Sequence, residues 1–215
     1  MRPLTDKTPK PLLDVNGQRL IEYHINALAA AGVSDIVINI AWLGQQIPDY
    51  LGNGSRYNVS LQFSDEGEAL ETGGGIFNAL PLLGSEPFIL VNGDIWSDYE
   101  FSPLVSLINK GFTRLAHLVL VNNPAHNPQG DFSIDTKTRL LNRQKGQGAG
   151  TYSGIGIYHP KMFEACKPGK FPLAPMLMDG MDKNQISGEH YAGLWFDIGT
   201  PERLAELDEM LKAKV

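Results

Sequence analysis

Phe88-Ile-Leu-Val-Asn-Gly-Asp94 is the stretch on which the reading of this chain turns. Four large apolar residues in a row, bounded by Asn92 and Gly93, read as the most hydrophobic strand of the first hundred residues. A glycine and a carboxylate follow at once. Ligands of open α/β sheets gather outside the carboxyl ends of the strands, so Asp94 occupies a position where chemistry is expected.

Outward from this strand the pattern is alternation. Residues 74–83 have the composition of a helix, and residues 35–40 (Asp-Ile-Val-Ile-Asn-Ile) form a second β-branched run. Residues 19–31 place Leu20, Ile21, Ile25 and Leu28 on one helical face, with Gly32 as the stop. A short helix near residues 43–51 and a strand at 59–64 complete the first hundred residues. This βα order predicts an α/β fold with a mostly parallel sheet and crossover helices. Beyond residue 100, strands are expected at 115–121, 131–135, 139–142 and 152–158 with few helices between them, which predicts a smaller β-rich lobe. A last helix at 201–212 opens on a proline and carries Leu204, Leu207 and Leu211 on one side. The whole chain, 1–215, reads as one domain with a 1–100 half and a 101–215 half.

Composition narrows the function. An apolar fraction of 42% with 20% charged residues is that of a globular protein, and no run approaches the roughly 18 apolar residues of a membrane span. The formal charge of −6 carries no basic cluster, which argues against a nucleic-acid partner. With a single cysteine, Cys166, no internal disulfide can form, and no basic and apolar leader opens the chain; both agree with a cytoplasmic protein. No G-x-G-x-x-G, Walker A, H-E-x-x-H or G-x-S-x-G motif occurs, and the histidines lack metal-ligand spacing. The glycines of residues 145–150 read as a turn.

Three loops remain. Gly93-Asp94 follows the strand just described, and Asp197-Ile-Gly-Thr-Pro201 follows a strand at 193–196. Should Asp94 and Asp197 converge, they make a hard, oxygen-rich site of the kind Mg²⁺ uses when it bridges phosphates. Glu71-Thr-Gly-Gly-Gly75 enters a helix and could offer backbone N–H groups to an anion or a flat base. Lys10, inside Thr8-Pro-Lys-Pro11, is a cation on a stiff stem. Each feature also has a plainer reading: a turn-forming aspartate, a glycine run that lets a helix pack closely, a solvated lysine, and histidines such as His24 that serve structure.

Taken in order, Met1-Arg-Pro-Leu-Thr5 with Thr8-Pro-Lys-Pro-Leu12, Leu20-Ile-Glu-Tyr23, Glu71-Thr-Gly-Gly-Gly75, Val91-Asn-Gly-Asp94, Tyr152-Ser-Gly-Ile-Gly156 and Trp195-Phe-Asp-Ile-Gly-Thr200 resemble the motifs of the sugar-1-phosphate nucleotidyltransferases. Residues 41–46, 81–84 and 187–191 are similar in particular to the branch that uses UTP in bacterial cell-wall recycling. The resemblance implies a Rossmann-like nucleotide-diphospho-sugar transferase fold with a sugar-binding lobe, and a reaction between UTP and a sugar 1-phosphate. By it Asp94 and Asp197 hold Mg²⁺, and Lys10 meets a phosphate at the reacting centre. Gly73, Gly74, Gly75 and Asn92 lie against the nucleotide, while Asp131, Ser153 and Gly154 face the sugar. A monomer is favoured. The family phrase Arg-Met-Arg-Pro-Leu-Thr is entered at its Met, so the resemblance further implies that the first strand and a glycine-rich triphosphate loop lie upstream of Met1. A mannose or glucose 1-phosphate guanylyl- or thymidylyl-transferase, and a non-catalytic sugar-nucleotide sensor, are the alternatives. The Asp-x-Asp of a glycosyltransferase is not matched by Asp94 and Asp98.

Overall fold

The computed structural model describes residues 1–213. Two single 3-10 turns, Leu4–Asp6 and Lys10–Leu12, open the chain, because the prolines at 3, 9 and 11 fix φ and withhold the N–H groups that a longer helix needs. A two-residue hairpin joins β1 (Asp14–Val15) to β2 (Gln18–Arg19), with Asn16 and Gly17 both at positive φ as that turn requires. Helix α1 (Leu20–Ala30) buries Leu20, Ile21, His24, Ile25 and Leu28, and Glu22 caps it by accepting the Arg19 N–H at 2.8 Å. Strand β3 (Asp35–Ile40), helix α2 (Gln46–Leu51) and strand β4 (Ser60–Asp65) come next.

Helix α3 (Glu71–Leu83) leads to β5 (Phe88–Val91), the strand of the opening stretch. After it come β6 (Ile95–Ser97), α4 (Ser102–Asn109), β7 (Ala116–Val121), β8 (Phe132–Ile134), β9 (Leu141–Asn142) and β10 (Ala149–Tyr158). Helix α5 (Ala174–Asp182), β11 (Ile186–Tyr191), β12 (Trp195–Asp197) and α6 (Pro201–Lys212) close the chain.

The chain forms two units that interleave in sequence. One takes residues 1–69, 92–102 and everything from Leu194 onward; the other takes 70–91 and 103–193. A division at residue 100 therefore does not describe them, because the chain enters the first unit three separate times.

In the first unit β3 and β4 run parallel, with Asp35 opposite Ser60 and Ile40 opposite Asp65. Ile21 and Ile25 of α1 pack with Ile38, Ile40 and Leu61 in one core cluster. A second cluster joins Val15, Leu20, Trp96, Ile198 and Leu207 around the antiparallel ribbon of β6 and β12.

The second unit holds a six-stranded sheet in the order β11-β7-β10-β8-β9, with β5 also paired to β10. Only β7 and β11 are parallel here; β10 runs antiparallel to β5, β7 and β8. The fold is thus α/β with a mixed rather than mostly parallel sheet. The cause is β10, a ten-residue strand that joins β5 to β7, and both of its partners lie far from it in sequence. All six residues of β7 are buried, which suits its apolar residues; the one polar member, His117, pairs its Nδ1 with the Ser187 hydroxyl at 2.9 Å.

Candidate active site

The β6–β12 ribbon brings together residues a hundred positions apart. Asp197 is paired with Ile95 and Trp195 with Ser97. One step beyond the ladder, the Ile198 N–H donates to the Asp94 carbonyl at 2.8 Å. Asp94 and Asp197 therefore stand at the same end of one ribbon, on adjoining strands. Lys10, held between Pro9 and Pro11, reaches the same place from the N-terminal segment: its Nζ lies 3.2 Å from Asp94 Oδ2. The three residues singled out as catalytic in the sequence all belong to this one unit.

Sequence reasoning missed a fourth group. Arg203, in the first turn of α6, donates from its guanidinium to Asp197 Oδ2 at 2.8 Å. Thr200 places it there, since its hydroxyl caps α6 by accepting the Arg203 N–H at 3.3 Å. The signal was present in Asp197-Ile-Gly-Thr-Pro-Glu-Arg203, where a helix start follows a strand-end carboxylate so closely that its first turn must reach back.

Asp94 and Asp197 keep 48% and 30% of their side-chain surface exposed, so water and a phosphate can share the space around them. Among the described residues no three potential metal ligands cluster. A pair of half-exposed carboxylates at neighbouring strand ends is the donor set that suits Mg²⁺, which retains waters and takes one or two protein carboxylates. Behind the pair, His24 of α1 points its Nε2 at the Ile95 carbonyl, 2.8 Å away. Burial pushes its imidazole down to about 4, against the opposing influence of that carbonyl and of the Asp94 charge.

The remaining candidates lie in the second unit, apart from Asn92, which opens the turn to Asp94. Glu71–Gly75 is not a loop before the helix but the first turns of α3 itself, with Glu71 at φ 60. The Gly74 N–H is already donated to Phe171 O at 3.0 Å, so it is not available to an anion. A Cβ on Gly74 would sit 2.3 Å from Gly169 O, and one on Gly73 would sit 2.6 Å from the Phe171 ring. These two glycines let the 169–171 segment lie directly on α3, which is the packing explanation of the run. Gly75 is buried in the same helix.

Asp131 and Ser153 are also committed within the chain. Asp131 accepts the Tyr152 N–H at 2.9 Å on one oxygen and Asn127 Nδ2 at 3.1 Å on the other. Ser153, 1% exposed, donates to Val119 O at 2.7 Å and accepts the Ile155 N–H at 3.1 Å. These bonds lie at a bulge in β10, where the register against β7 shifts between Tyr152 and Gly156. Gly154, at φ 83, is the residue whose backbone that bulge requires to be glycine-like.

Two carboxylates and a lysine thus collect at the end of one strand ribbon in this α/β fold. The chain belongs to the nucleotidyl transferase family, whose profile matches residues 1–214. It is 48% identical, over 99% of its length and 94% of the relative's, to the N-acetylmuramate α-1-phosphate uridylyltransferase of Neisseria meningitidis serogroup B. A mannose-1-phosphate guanyltransferase from Hypocrea jecorina is 27% identical over 94% of the chain, which spans 58% of that longer protein. Among solved structures, an apo UDP-glucose pyrophosphorylase superposes with a TM-score of 0.81 at 17% identity, covering 100% of this chain and 94% of the other, and so shares the fold.

Proposed function

We propose that this protein is a sugar-1-phosphate uridylyltransferase that joins UTP to N-acetylmuramate α-1-phosphate, yielding the UDP-sugar and pyrophosphate, and that it serves peptidoglycan recycling as a cytoplasmic monomer. The observation that carries the reading is the convergence of Lys10, Asp94 and Asp197 at one ribbon end, in a chain 48% identical to a uridylyltransferase. The guanyltransferase relatives, at 27%, support the alternative less well.

A phosphate oxygen of the sugar 1-phosphate attacks the α-phosphorus of UTP in line. The new P–O bond forms as the bond to the β-phosphate bridging oxygen breaks, and pyrophosphate carries that electron pair away. Two polyanions must meet, so the protein's work is positioning and charge compensation, with no protein nucleophile needed. Asp94 and Asp197 are the residues that would hold Mg²⁺. When bound, the ion supplies positive charge that screens the two phosphates from each other. Lys10 exchanges its carboxylate partner for a phosphate oxygen, and its flanking prolines limit the rotational freedom lost in doing so. Arg203 steadies Asp197. Gly73, Gly74, Gly75 and Asn92 are proposed to border the nucleotide by backbone, and Gly154 in the β10 bulge to border the sugar, with Asp131 and Ser153 as its braces.

The test is a pyrophosphate-release screen of nucleoside triphosphates against several sugar 1-phosphates with Mg²⁺ present. UTP with N-acetylmuramate α-1-phosphate is expected to exceed every other pair in kcat/KM by about 100-fold or more. Preference for GTP with mannose 1-phosphate would move the protein to the guanylyl branch, and tight UDP-sugar binding without any turnover would make it a sensor.

A further inference from the structure

We infer that His24 is a positioning residue for Asp94: by donating its Nε2–H to the Ile95 carbonyl it fixes the backbone from which the Asp94 carboxylate projects. The inference rests on the proposed reading of Asp94 as the carboxylate that serves the reacting phosphates.

Ile198 N–H bonds to Asp94 O, and Asp98 N–H bonds to Leu194 O at 3.3 Å, so residues 94 and 98 sit in hydrogen-bonded pairs across β6 and β12. In an antiparallel ladder such pairs alternate with pairs that exchange no bonds. Ile95, opposite Asp197, falls in the second kind, and its carbonyl turns away from β12. Ile95 is only 4% exposed, so this carbonyl cannot rely on solvent and needs a partner from elsewhere in the chain.

Helix α1 supplies it. His24 is 8% exposed and lies on the buried face of α1, and its Nε2 stands 2.8 Å from Ile95 O. A carbonyl only accepts, so the proton is on Nε2. Beside it, Tyr23 meets Trp96 edge to ring with centroids 6.2 Å apart, so α1 grips the ribbon at two consecutive β6 residues. Asp94 is then held three ways: Ile198 on its own carbonyl, Lys10 on its carboxylate, and His24 on the next peptide. A core histidine with no bearing on the site would have no reason to bond to the residue directly after the strand-end carboxylate.

The experiment is a double-mutant cycle on the full chain with His24→Phe, Asp94→Asn and both together, alongside His24→Gln, whose amide nitrogen can replace Nε2. His24→Phe is expected to lower kcat by about tenfold or more with both KM values little changed, and to cost almost nothing further in the Asp94→Asn background. His24→Gln should restore most of the loss. Amide exchange at Ile198 should quicken by about tenfold in His24→Phe while the amides of α1 keep their protection. Wild-type turnover in His24→Phe, an equal penalty with and without Asp94, or no rescue by a folded His24→Gln would each overturn the inference. Normal turnover in Asp94→Asn alone would instead overturn the proposed role of Asp94. If His24→Phe does not fold, nitrogen NMR of the wild-type imidazole decides: a proton on Nε2 is expected, and one on Nδ1 alone defeats the proposal.

Discussion

Ile198 donates its N–H to the Asp94 carbonyl at 2.8 Å, and that bond ties the turn after β5 to the turn before α6. Two segments far apart in sequence thereby share one backbone frame, which sets Asp94 and Asp197 at the same end of the β6–β12 ribbon.

Asp94→Asn and Asp197→Asn should each reduce kcat by about 100-fold, since each removes one of the two carboxylates proposed to hold the Mg²⁺ that screens the reacting phosphates. Both side chains are partly exposed, so far-ultraviolet circular dichroism should be unchanged. Chelation should abolish turnover in the wild type, and added Mg²⁺ should restore it. Retained activity in the chelated enzyme would contradict the assigned ligands.

Arg203→Met leaves Asp197 without its cation and should lower kcat by about tenfold, while Arg203→Lys recovers part of it, because an ammonium keeps the charge and loses the planar fork. Steady-state kinetics on the two variants measures the difference. A related effect belongs to stability: Thr200→Ala removes the cap of α6 and should cost about 1 kcal/mol in urea unfolding.

Gly74→Ala tests the packing of α3. The new methyl would meet Gly169 O at 2.3 Å, so backbone must move, and a loss of about 1 to 3 kcal/mol is expected in urea unfolding. An unchanged midpoint would show that the 169–171 segment does not bear on the helix.

Acid should weaken the fold through His24. Its imidazole falls from an ordinary 6.5 to about 4, because burial disfavours the charged form. The unfolded chain binds the proton more readily, so this contribution is complete above pH 6.5 and is lost as pH falls toward 4. Its full size is about 3 kcal/mol. Urea melts at pH 7 and pH 4 should show that loss in the wild type. His24→Gln should lack it, so an identical pH slope in the two proteins would exclude this origin.

Much of this architecture was legible in the residues. Helix α6 matches its expected span of 201–212 because Thr200-Pro201 announces a start and Leu204 and Leu207 mark a buried face. Helix α1, β3 and β5 were equally plain, their apolar spacing being long or dense enough to decide the period. The places of Asp94 and Asp197 at strand ends were legible too, since each follows an apolar run directly, whereas the contact of Lys10 with Asp94 has no local signal. Short or interrupted elements escaped. The β1–β2 hairpin has strands of two residues around Asn16-Gly17, β6 has three residues, and α5 carries a proline and a glycine. Pairing between distant strands, such as β5 with β10, leaves no local mark. Asp131 and Ser153 look like polar site residues in sequence, and the bonds they make to distant backbone leave no local signal.

The ion pairs of the ribbon end, Lys10 with Asp94 and Arg203 with Asp197, make the resting centre electroneutral as a group of four. A bare polyanion arriving there finds no net attraction, whereas one that brings its own counter-ion finds both signs answered at once. The expected consequence is admission biased toward the complexed nucleotide, with free inorganic phosphate gaining little hold at the ribbon end.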